Sequence, residues 1–131
     1  MNDCMPQEID VRFIIPSIRR EIAKILVNER KISQKDTAKF LDITGAAVSQ
    51  YLNSKRAAQV EFSTEVINEI RKSVDHLKKN HTKFELMKEI YKISSLPKVI
   101  EIKCLIHKSL SKHLDKCVIC FEDGHPVQIT I

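Results

Sequence analysis

The chain has 131 residues, 43% of them hydrophobic, with two glycines and no tryptophan. That length allows one substantial core or a small domain with an appended module, and so few glycines exclude a turn-rich sandwich in favour of helices. A formal net charge of +5 favours a polyanionic partner through counterion release.

No apolar run approaches the roughly 20 residues that span a bilayer. The first ten residues, MNDCMPQEID, lack the basic-then-apolar order of a signal peptide. The expectation is a cytoplasmic protein without a membrane segment, whose four cysteines are thiols or metal ligands rather than disulfides.

Residues 1–15 show no clear period. Pro16 and Ser17 are read as opening a helix, because Ile18, Ile22, Ile25 and Leu26 then recur at helical spacing until the pattern fades at Glu29 to Lys31. Ser33 is a suitable N-cap, and Asp36 falls in the first turn, where the helix dipole favours an anion. That second helix runs through Ala38 and Leu41. Asp42 and Ile43 form a turn, Thr44 caps again, and a third helix carries Ala47, Val48, Tyr51 and Leu52.

Ser63 caps a fourth helix with Val66 or Ile67, Ile70, Val74 and Leu77 as its stripe. Asn80 and His81 interrupt it. Phe84, Met87, Ile90 and Tyr91 mark a fifth helix, and Ser94 to Pro97 break the chain again. Pro97 fits the first position of a sixth helix reaching about Leu114, although the alternation from Val99 to Lys103 leaves a strand open there. The tail ends in the β-prone VQITI.

The segment SQKDTAKFLDITGAAVSQYLNSKR, residues 33–56, has the order of a helix-turn-helix. Ala38 is small where two helices must approach, and Leu41, Ile43, Val48 and Leu52 fill the crook. The segment resembles the lambda-repressor/Cro-like (XRE) transcriptional regulators, and AAVSQYLNSKR resembles the short archaeal type. The resemblance covers roughly residues 17–60. Asp42 departs from it, since the family usually has a left-handed Gly at that position; Asp adopts that conformation at some cost.

The resemblance implies double-stranded DNA as partner. It places Gln34 on phosphate and Gly45, Ala46, Ser49 and Gln50 on base edges. Thr44 is implied to offer its hydroxyl or backbone N–H, while Lys55 and Arg56 hold phosphates beside the groove. Chemically, Gln50 can pair bidentately with adenine and Ala46 can pack on a thymine methyl. Tyr51 is left between core and backbone contact. The competing interpretation is an ordinary helical hairpin in which Ser33 and Thr44 are simply caps.

A second constellation comprises Cys104, His107, Cys117 and Cys120: Cys-x2-His, nine residues, then Cys-x2-Cys. Two such pairs separated by a returning chain suit tetrahedral zinc. Cys104 and His107 are expected on one face of the sixth helix, off a core stripe of Val99, Ile102, Ile106 and Leu110. His113 and His125 are alternative ligands to His107. An iron–sulfur cluster, a thiol redox pair and unligated thiols remain alternatives. The last stretch of the chain has too little apolar material to fold by burial alone, which favours a small metal-held module.

The expected architecture is all-α. Residues 1–62 form a helix-turn-helix DNA-binding domain, and residues 63–131 form a helical dimerisation region with the Cys/His module. A single helix-turn-helix contacts few bases, so the expected regulator is a homodimer. The alternative is an antitoxin-like or adaptor protein whose main partner is another protein. An enzyme is not expected: the chain has no phosphate-cradling glycine loop, nucleophile elbow or paired carboxylates.

Overall fold

The computed structural model describes residues 5–54 and 60–110, with the backbone of 121–122 and 125–126. Their regular structure is helical apart from one short antiparallel pairing, in which Phe121 faces Pro126 and Glu122 faces His125. No helix among them is long and apolar enough to cross a membrane.

The first helical stretch begins ten residues before the expected start at Pro16. It comprises α1 (Pro6–Ile9), a π-helical turn (Asp10–Ile14), α2 (Ile15–Lys24) and a second π-helical turn (Ile25–Glu29). The π turns explain why the period was invisible. Ile9, Ile14, Ile18 and Ile22 are all buried, but at spacings of five, four and four. A regular helix would rotate Ile14 away from Ile9, whereas an i→i+5 turn returns it to the same face. The same wider turn accommodates Pro16, which lacks an N–H and would clash with a preceding carbonyl in a regular helix. The Ser17 hydroxyl donates to the Phe13 carbonyl at 2.6 Å.

This stretch is the axis of the molecule. Helices α3 (Gln34–Leu41), α4 (Gly45–Leu52), α5 (Thr64–Lys79), α6 (Lys83–Ser94) and α7 (Pro97–Leu110) gather around it. Each fully buried isoleucine contributes about 1.5–3 kcal/mol through the apolar surface it removes from water. One hydrophobic cluster contains Ile18, Ile22 and Leu41 together with Val66, Ile70, Leu77, Ile93 and Val99, so it spans both sides of residue 62.

Helices α3, α5 and α6 start at side-chain caps: Ser33, Ser63 and Thr82 accept from the backbone N–H of Asp36, Val66 and Glu85. Ion pairs tie α5 to the end of the first stretch. Arg71 contacts Glu29 at 3.0 Å and Arg30 contacts Asp75 at 2.8 Å. The hydrogen bond from Arg71 holds the Glu29 carboxyl below its usual range, and the same bond raises Arg71. Lys103 of α7 reaches Asp10 at 3.2 Å.

One expectation needs correction, and one choice that the sequence left open is decided by packing. On α6 the buried residues are Leu86, Glu89, Ile90 and Ile93, while Phe84, Met87 and Tyr91 face outward. Both faces of this helix carry apolar residues at helical spacing, and packing selects the face of Leu86 and Ile93 together with Ile90 of the expected set. On α7, His107 is not off the core: it is 4% exposed, like fully buried Val99, whereas Ile102, Ile106 and Leu110 are half-buried. The helix is rolled towards Val99 and His107 by its packing on α1 and the Asp10–Lys103 pair. The stretch Val99 to Lys103 is helical.

Candidate nucleic-acid interface

Helices α3 and α4 are joined by three residues whose backbone is dictated by their sequence. At the end of α3 the Ile43 N–H donates to the Ala38 carbonyl at 3.0 Å, and the Asp42 N–H to the Lys39 carbonyl at 3.2 Å. These two bonds form a Schellman cap, which requires a left-handed residue between them. Asp42 takes that conformation, with φ 55° and ψ 44°. The strain expected at this non-glycine position is therefore present. Lys83 of α6 lies 3.5 Å from the Asp42 carboxylate.

Ile43 turns back onto the core, and Thr44 restarts the helix by accepting from the Ala47 N–H at 3.0 Å. Ala38, Ala47 and Val48 are buried, as the close approach of the two helices requires. Tyr51 is also buried, which assigns it to the core rather than to the surface.

The outward side of the pair carries the predicted contact residues. Gln34, Thr44, Gly45, Ala46 and Gln50 are exposed, and Ser49 is half-buried. Ser49 is already engaged, since its hydroxyl accepts from the Asn53 amide at 3.4 Å. A Cβ added at Gly45 would meet nothing within 4 Å, so that glycine is demanded neither by packing nor by backbone strain. It leaves the start of α4 open. Lys55 and Arg56 lie outside the described residues.

A cleft between the two helices is lined by Gln34, Lys35, Lys39 and Gly45, among others. Lys35 and Lys39 were missed in the sequence. They stand one turn apart on the exposed side of α3, and their signal was the i, i+4 spacing of two cations beside Gln34.

The back of the pair is held by the α5–α6 connection. The His81 ring stacks on Phe40 with centroids 4.3 Å apart and planes inclined by 15°. Its Nε2 is 2.7 Å from the Phe40 carbonyl oxygen in the last turn of α3.

No family model, curated protein or solved structure matches this chain.

Of the second constellation, Cys104 and His107 lie one turn apart on α7, half-buried and buried. Cys117, Cys120 and His113 lie outside the described residues, as does the side chain of His125. Among the described residues no group of three or more His, Cys, Asp or Glu could hold a metal ion. The backbone of His125–Pro126 runs beside α7.

Proposed function

We propose that this chain is a sequence-specific DNA-binding regulator in which α3 and α4 are the two members of a lambda-repressor-like helix-turn-helix. The observation that carries this reading is the left-handed Asp42 cap followed by the Thr44 cap. Together they join two eight-residue helices in three residues while leaving Gly45, Ala46 and Gln50 outward. A recognition helix needs that combination: small or hydrogen-bonding side chains facing bases, with the bracing helix behind.

In this reading Gln50 reads adenine and Ala46 a thymine methyl. Lys35, Lys39, Lys55 and Arg56 neutralise phosphates, Gln34 donates a hydrogen bond to one, and Thr44 adds a polar contact at the rim. Affinity comes largely from the cations and from pairing of two copies, because the base-facing residues carry no charge.

The deciding comparison measures binding to a selected operator and to random duplex over a salt series. Gln50→Ala is expected to lower discrimination between the two by about 1–3 kcal/mol. Lys55→Ala with Arg56→Ala is expected to weaken both equally and to flatten the salt dependence. Equal losses on both duplexes for Gln50→Ala would remove base readout from α4.

The C-terminal Cys/His set is proposed to bind zinc, with an iron–sulfur cluster as the alternative. Its donors, three thiols and an imidazole, suit either group. Cys104 and His107 are one helical turn apart, so α7 can offer both to one ion. Zinc would supply structural cross-linking; a cluster would supply redox or iron sensitivity.

The second reading is an adaptor or antitoxin-like chain acting mainly on another protein. The outward apolar residues of α6 favour some protein contact. Copurification of a stoichiometric partner with sequence-indifferent DNA binding would favour it.

A further inference from the structure

Six large hydrophobic residues are strongly exposed among the described residues, and three of them share one face of α6. Phe84 is 66% exposed, Met87 64% and Tyr91 75%. At about 100° per residue they project within about 60° of one another, roughly opposite Leu86 and Ile93. Their spacing of three and then four is the a–d–a order of a short helix-pairing seam.

We propose that this stripe is where two copies of the chain pair, their α6 helices antiparallel about a two-fold axis passing beside Met87. The proposal rests on the dimeric part of the reading above and names its surface.

Area is the first argument. The exposed parts of the three side chains amount to roughly 400 Å² per copy, the size of patch that marks a contact surface. Two copies contribute about 800 Å², and the flanking lysine stems and serines bring the total towards the ~1,200 Å² of a small stable interface.

Charge is the second argument, and it selects the occupant. Lys83, Lys88 and Lys92 border the stripe, but each already has a carboxylate nearby, at 3.5, 3.3 and 3.9 Å. Lys88 also lies over the Phe84 ring, 5.8 Å from its centroid. The face is therefore apolar with internally balanced charge, which suits a copy of itself better than an acidic partner. With Phe84 opposite the second copy's Tyr91, Met87 meets its own counterpart beside the axis. Direction follows from the helix dipoles, which an antiparallel alignment opposes favourably.

The test is sedimentation of the full chain without DNA, up to about 100 μM. The wild-type chain is expected to be a dimer. Met87→Glu and Met87→Lys, each alone, are expected to raise the dissociation constant at least about thirtyfold, because like charges meet at the axis. An equimolar mixture of the two variants is expected to dimerise again, since opposite charges then meet. Circular dichroism melts of both variants should match wild type, because residue 87 faces solvent within one copy. A monomeric wild type, or a dimer indifferent to both variants, overturns the proposal. A mixture that stays monomeric overturns the two-fold register. No DNA is present, so this result is independent of the Gln50→Ala comparison and either reading can fail alone.

Discussion

His81 holds the last turn of α3 from 41 positions away in sequence, its Nε2 lying 2.7 Å from the Phe40 carbonyl oxygen. A carbonyl only accepts, so Nε2 is the donor, and it satisfies an acceptor that a helix C-terminus leaves without an internal partner. The stacked Phe40 ring fixes the imidazole plane. The connection between α5 and α6 thereby braces the helix pair proposed to read DNA.

Replacing His81 with Ala removes the hydrogen bond and the stacking together. The expected loss is about 1 kcal/mol, which for a chain of this size lowers the thermal midpoint by roughly 3–5 °C. His81→Phe retains the stack without the donor and should fall between. Unchanged circular dichroism melts for both variants would show that the contact contributes nothing.

Asp42 bears a left-handed backbone that glycine adopts without penalty. Asp42→Gly removes that strain and the exposed Lys83 pair, and the strain is the larger effect. It should raise stability by about 0.5–1 kcal/mol in urea unfolding. Asp42→Val places a β-branched residue in the same conformation and should lower it by more than about 1 kcal/mol. A reversed order of the two variants would contradict the cap assigned here.

The Glu29–Arg71 pair predicts the sign of an acid dependence. The hydrogen bond from Arg71 depresses the folded-state pKa of Glu29, so the unfolded chain takes up a proton first as pH falls. The stabilisation is fully present above the ordinary carboxylate range, about pH 4.5, and is lost as pH drops through the folded value. Glu29→Gln should therefore lower the urea midpoint at neutral pH. That difference should shrink in acid, and a gap that widened below about pH 4 would refute the linkage.

Metal analysis with a visible spectrum on anaerobically purified protein separates the proposals for the C-terminus. One zinc per chain and no colour is expected, with Cys117→Ser or Cys120→Ser abolishing retention. A brown protein carrying iron and sulfide would establish the cluster instead. Metal-free protein would remove the site.

Much of the helix pair was legible in the sequence because its determinants are local. Ser33 and Thr44 each cap a helix by accepting from a backbone N–H three residues ahead, Ala38 is small, and Asp42 is one of the few residues other than glycine to enter the left-handed region readily. The choice of face on α6 was not legible. Phe84, Met87 and Tyr91 have the same spacing as a core stripe, and only the neighbouring α5 and α2 select Leu86, Ile90 and Ile93 instead.

By itself, then, the sequence determined the predominantly helical character, the boundaries of α3 and α4, and the turn between them, since hydrogen bonds within a few residues decide these. Tertiary packing decided the rest. It drew residues 6–15 into the central stretch through a π turn, rolled α7 to bury His107, and brought His81 onto Phe40. Each depends on surfaces distant in the chain, and removal of apolar area from water is indifferent to sequence separation.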